Sequence, residues 1–228
     1  MRLIKRICPF LLLVYVFFAC ASKVQKPIVV FTFDDAELSH YKNVAPLLKE
    51  YGFDATFFVC EYAKRKNNTT TYHMNWKQIK ELNDMGFEIG NHTGHHKNVT
   101  KLSREDLVKE VQYIENKCAE YDIPRPISFA YSGNRHNEYA VSVLDSLGYR
   151  FGRAGNSRLF DKENDQLLVI PSYTMGSNEK LGTRTMKAME NLKDGDIIAF
   201  CIHGVPDIEQ PDYSTSIEYF EDDEREWI

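Results

Sequence analysis

The sequence contains no CxxC pair, and of its five cysteines Cys8 and Cys20 lie within an N-terminal apolar segment. The remaining three, Cys60, Cys118 and Cys201, are odd in number and widely spaced. That pattern fits neither a disulfide framework nor a thiolate zinc site, so all three are expected to be buried apolar thiols. Internal repeats and low-complexity tracts are absent, which excludes repeat architectures and, with 43% hydrophobic residues, disorder over most of the chain. Positive charge is not in excess: the formal net charge is −5, which argues against a nucleic-acid-binding surface. Nor does any apolar run reach the about 20 residues of a bilayer-spanning helix.

Ile7 to Phe18 is an apolar stretch of twelve residues without a charge. It follows a basic start at Arg2, Lys5 and Arg6 and gives way to Ser22 and Lys23, the layout of a secretory signal peptide. Ala19 directly before Cys20 is similar to a bacterial lipoprotein signal, with Phe17 where that signal usually carries leucine. Residues 1–19 are therefore expected to be a signal peptide, Cys20 the lipidated first mature residue, 20–27 a linker and 28–228 a single domain. The protein would be exported to the cell envelope or periplasm and held at the membrane by its lipid. Removing residues 1–19 takes away three positive charges and no negative one, moving the net charge from −5 to −8.

The rest alternates short apolar runs with amphipathic segments. Residues 27–33, 55–59, 87–90, 127–131, 149–153, 167–170 and 197–201 read as strands. Residues 41–51, closed by Gly52, read as a helix, as do 76–85 behind an Asn75 cap and a segment behind the Ser103/Asp106 cap. A further helix fits at 137–147, while 62–73 is polar and reads as loop. Strands alternating with helices predict parallel pairing in an α/β fold, with active groups at the C-terminal ends of the strands. After Cys201 the sequence shows two prolines and an acidic run from Glu218 to Glu226, but no clear final helix and strand. A closed barrel would want them, which leaves open a truncated and incomplete C-terminal end or an irregular closure.

Three motifs at strand ends carry chemistry. Asp34 and Asp35 end the first strand, where alternation points adjacent side chains apart, so that one can ligate a metal and the other take a proton. His92 and His96 end the third strand, four residues apart; on a helical turn both rings would share one face toward a divalent ion. His95 is the spare. His203 follows the last strand into a glycine-containing loop, placed for acid–base work. Together, Asp35, His92 and His96 form an open three-ligand set that leaves room for water. Asp34 is the candidate base and His203 the candidate acid of metal-assisted hydrolysis.

With these residues assembled, Thr32-Phe33-Asp34-Asp35-Ala36 resembles the first motif of the polysaccharide deacetylase family, with Ala36 in place of the usual glycine. His92-Thr93-Gly94-His95-His96 is similar to its histidine motif and Ile198 to His203 to its last. The resemblance implies a distorted (β/α) barrel of seven or eight strands, a zinc-like divalent ion, and cleavage of an N-acetyl amide on a sugar. It implies Asp34 as base, His203 as acid and Asp35, His92 and His96 as ligands. Phe129 to Gly133 stands where the family has an arginine-containing motif, with Ala130 in the arginine's place. Tyr131 and the backbone near Gly133 are the candidates for contacting substrate or its oxyanion, and Arg153 is the candidate replacement partner of Asp34. Zinc is favoured, although cobalt, nickel or iron also suit two imidazoles and a carboxylate. The residues leave open an esterase or other amidohydrolase on the same scaffold, and a non-catalytic carbohydrate binder.

Overall fold

The structure, a computed structural model, describes residues 26–61, 73–175 and 179–205. The expected signal peptide, Cys20 and its lipid, most of the linker, nearly all of the polar loop and the acidic run all lie outside these residues.

Seven strands alternate with helices. They are β1 (Ile28–Phe33), β2 (Thr56–Val59), β3 (Glu88–Asn91), β4 (Ser128–Ala130), β5 (Phe151–Asn156), β6 (Ile170–Met175) and β7 (Ile197–Ile202). The helices are α1 (Ala45–Tyr51), α2 (Trp76–Asp84), α3 (Arg104–Glu120), α4 (Glu138–Ser146) and α5 (Glu179–Glu190). Each strand pairs in parallel with the next, and β7 pairs with β1 from Ile28↔Ile197 to Phe33↔Ile202. The ring therefore closes at seven strands. The expectation of an incomplete end is corrected: closure needs nothing beyond Ile202, because the last apolar strand lies directly against the first.

Local sequence sets the helix ends. Asn75 accepts a hydrogen bond from the Gln78 amide at 3.1 Å while the Gln78 side chain accepts from the Asn75 amide at 2.9 Å, a reciprocal cap. Ser103 and Asn137 cap α3 and α4 by accepting from the amides of Asp106 and Ala140, without the reciprocal bond. Gly52, at φ 69°, ends α1 in the left-handed region. Before α1, residues 40–44 form a wider turn, so the expected helix over 41–51 is regular only from Ala45. Two groups of buried side chains hold the helices to the ring. One is built on Phe33, Leu48, Phe57, Ile79, Leu82 and Ile114. The other is built on Val111, Phe129, Tyr131, Val143, Leu144 and Tyr149. Each such side chain contributes about 1.5–3 kcal/mol on burial.

Two elements differ from expectation. Helix α5 is unexpected: its apolar residues are spaced for one face, but Gly182 and two threonines lower its helix propensity. Strand β6 runs over 170–175, not 167–170; the segment before it crosses tightly over β5, where the Gly152 amide donates to the Leu167 carbonyl at 2.8 Å. A Cβ on Gly152 would meet the Leu168 carbonyl oxygen at 2.2 Å. Gly152→Ala is expected to lower unfolding free energy by about 1–3 kcal/mol in a urea titration.

Candidate metal centre and its acid–base partners

The Asp34 amide donates to the Ile202 carbonyl at 2.8 Å, extending the β1–β7 ladder by one step. The chain then leaves the strand through two successive left-handed residues, Asp35 at φ 73° and Ala36 at φ 52°. Such a conformation costs an L-residue roughly 1–2 kcal/mol, which explains why glycine would suit the Ala36 position. The turn is held from outside. The His73 ring donates to the Asp35 carbonyl at 3.0 Å, and the Met74 amide to the Ala36 carbonyl at 2.7 Å.

The histidine segment is a turn, not a helix. Thr93 at φ 64° and His96 at φ 51° fold it back, and this corrects the reasoning from helical spacing although the two rings do meet. The buried Asn91 fixes the turn: its side chain accepts from the Thr93 amide at 2.9 Å and donates to the Val111 carbonyl and the Tyr149 hydroxyl. The His92 and His96 ring centroids lie 4.8 Å apart. His92 Nδ1–H donates to the Ala130 carbonyl at 2.8 Å, which leaves its Nε2 lone pair facing the aspartates. His95 turns outward, as expected of the spare, and pairs with Glu110 at 3.0 Å.

One carboxylate oxygen, Asp35 Oδ1, lies 3.5 Å from His92 Nε2 and 3.6 Å from His96 Nε2. Bonds of about 2.1 Å in a tetrahedral site put ligand atoms about 3.4 Å apart, so both distances from Asp35 match a zinc-like ion. Burial pushes the His96 ring down to about 4, so it is neutral and able to ligate near pH 7.

Beside this set, Arg153 on β5 makes a buried ion pair from Nη2 to Asp34 Oδ2. Its Nη1 donates to Asn134 Oδ1 at 2.9 Å, with Ser172 Oγ at 3.5 Å. Burial alone would raise the Asp34 carboxyl, but Arg153 above all, with His92 and His203, outweighs it and holds the group below its ordinary value. Among the described residues, Asp34 Oδ1 is buried and has no hydrogen-bond partner. His203 Nε2 stands 3.8 Å from Asp35 Oδ2, and the His203 carbonyl accepts from the buried His40 ring at 2.9 Å.

Asp34, Cys201 and His203 form a second close trio. It is the poorer metal site, because burial pushes the Cys201 thiol well up and Asp34 is engaged by Arg153. The Cys201 thiol donates to Asp34 at 3.4 Å. Cys60, Cys118 and Cys201 are buried and form no disulfide with one another, as expected, but only Cys118 lies in the apolar core; the Cys60 thiol donates to Asp35 as Cys201 does to Asp34.

The structure thus brings together Asp34, Asp35, His92, His96, Arg153 and His203. Tyr131 is not brought to them: its side chain is buried against Phe129 and its hydroxyl donates to the Leu168 carbonyl at 2.8 Å. Its assignment to substrate contact is corrected, because alternation along β4 turns it outward into the helical layer. Gly133, at φ 60°, lies in the turn that presents Asn134 to Arg153. Sequence reading did not single out Asn134, Ser172, His40 or His73. These are single polar residues whose roles depend on which strands and loops lie side by side.

A parallel α/β barrel with such a donor set on its C-terminal rim defines the class of scaffold. A sequence profile described as polysaccharide deacetylase matches residues 21–152, more than half of the chain, and the protein belongs to that family. It is 27% identical to the peptidoglycan-N-acetylglucosamine deacetylase of Bacillus cereus over 124 residues, 54% of each chain. The chain spans about half the length of the curated relatives it matches. Among solved structures it resembles the Streptococcus pyogenes deacetylase PplD, with a TM-score of 0.59 and 22% identity over 70% of this chain and 69% of that one. It also resembles the chitin deacetylase of Colletotrichum lindemuthianum, with a TM-score of 0.54 and 20% identity over 78% and 77%. These likenesses establish the fold.

Proposed function

We propose that the protein is a metal-dependent hydrolase that removes N-acetyl groups from a carbohydrate in the cell envelope, exported by its signal peptide and tethered through Cys20. The observation that carries this reading is the convergence of one ligand atom each from Asp35, His92 and His96 within 4.8 Å, beside an ionised Asp34 with an open oxygen.

Asp35, His92 and His96 would hold the ion, with zinc favoured by two imidazoles and a carboxylate. A divalent ion bound there polarises an acetyl carbonyl and lowers the pKa of water. Asp34 Oδ1 takes the proton as water attacks, and Arg153 keeps Asp34 ionised for that task. A proton from His203 Nε2 passes to the departing amine, so the C–N bond breaks with acetate and a free amino sugar as products. Family membership and the names of its relatives support a carbohydrate substrate.

The test is acetate release from acetylated chitooligosaccharides and from acetylated xylan by wild type and Asp34→Asn. Asp34→Asn is expected to lower the rate on the N-acetylated oligomer about a hundred- to a thousandfold. Equal release by both proteins would remove the catalytic assignment, and release from xylan alone would replace it by an esterase.

A further inference from the structure

Exposed apolar side chains gather at one end of the barrel. Ile28 starts β1, Tyr51 and Phe53 precede β2, Ile127 precedes β4, Phe151 starts β5 and Leu167 precedes β6; all six are exposed, Tyr51 by 64% and Phe53 by 50%. They form two groups on opposite sides of the ring. The Tyr51 and Phe53 rings stack at 6.1 Å, and Phe53 touches Phe31 at 5.9 Å. Across the ring, the Ile127 carbonyl accepts from the Phe151 amide at 3.3 Å and the Leu167 carbonyl from Gly152 at 2.8 Å. All are at the N-terminal ends of strands, whereas the candidate metal centre is at the C-terminal ends. Charges of both signs surround them, including Lys49, Arg150, Asp54 and Asp194, so this end offers apolar surface and no field of one sign.

The chain also reaches the barrel at this end, at Pro27 just before β1. The eight residues from Cys20 to Pro27 span at most about 26–29 Å when extended. A lipid on Cys20 would therefore hold this end, and not the metal centre, against the bilayer. Tyrosine and other amphipathic or apolar side chains are the groups that settle at the headgroup boundary.

We infer that the N-terminal end of the barrel is a lipid-facing surface: Tyr51, Phe53, Ile127, Phe151 and Leu167 rest in the headgroup region of a bilayer, and the metal centre opens away from the membrane. The inference rests on the reading of Cys20 as the acylated residue. The lipid supplies attachment, and the apolar end supplies orientation.

The experiment uses the acylated full-length product on vesicles of phosphatidylethanolamine and phosphatidylglycerol carrying a headgroup-proximal spin-labelled lipid. A bimane label is placed at Phe53→Cys, Phe151→Cys or, at the opposite end of the barrel where α4 begins, Tyr139→Cys. The native cysteines in the described residues are buried and shielded from the label. Quenching at 53 and 151 is expected to exceed that at 139 at least twofold. Equal quenching at all three positions in acylated protein would overturn the orientation. An intact mass without acyl chains would remove the tether and the inference with it. Acetate release in solution is measured separately, so either failure is distinguishable from failure of the deacetylase reading.

Discussion

Replacing Arg153 with methionine is expected to cost about 3–5 kcal/mol of stability at neutral pH, because it strands the buried Asp34 carboxylate. The loss is pH-dependent. In the wild type Asp34 is held below its ordinary value, so its contribution is present above that value and is lost as pH falls through the folded one. In Arg153→Met, burial raises Asp34 instead; the folded state then gains a proton, and the variant recovers relative to wild type as the medium becomes acidic. Urea titrations at several pH values should show the gap narrowing from pH 7 toward pH 4. Arg153→Met with Asp34→Asn should regain most of the stability and none of the activity. Arg153→Lys keeps the charge but cannot reach Asp34 and Asn134 at once, so it should fold well and turn over slowly. If Arg153→Met is as stable as wild type at pH 7, Arg153 is not the support of Asp34.

Stripping divalent ions with a chelator is expected to lower acetate release roughly a thousandfold or more, and added zinc to restore it. Binding has its own readout: zinc at a hundred times its dissociation constant stabilises the fold by about 2.7 kcal/mol. Asp35→Ala and His92→Ala should lose both the thermal shift and the restoration. Metal-free protein has a further signature. Burial pushes His40 and His96 down to about 4, so the unfolded chain binds more protons than the folded one below the ordinary histidine value of 6.5. Stability of the metal-free fold should therefore fall as pH drops from about 6.5 to about 4. A metal-free protein with flat stability across that window would contradict the buried, neutral state of these rings.

The sequence made the ligands legible because the aspartates and histidines are clustered and each cluster follows an apolar run. It did not make the geometry legible. His92 and His96 meet through left-handed residues at Thr93 and His96, and no periodicity encodes such a turn. Ala130 stands where an arginine is expected, and the parallel pairing Ala130↔Arg153 shows why Arg153 can take its place, since the two positions are neighbours across β4 and β5. The supports of Arg153 were not legible, because Asn134 sits in a short turn and Ser172 directly follows Pro171 near the start of a strand. Six of the seven strands fell close to their expected positions. The missed helix carries Gly182 and two threonines, which lower helix propensity, and the sixth strand begins late because Leu167 and Leu168 are taken up in the tight crossing over β5.

The seam between the first and last strands has a bearing on how the protein matures. All three proposed ligands lie between residues 35 and 96, so they are present once less than half of the chain has been made. The proposed proton donor arrives about a hundred residues later and is set opposite Asp34 by the register Phe33↔Ile202. Side chains alternate along a strand, so a slip of one residue would turn His203 to the other face. A chain can thus carry its complete proposed ligand set and still lack its proposed acid until the last strand is paired with the first in that register.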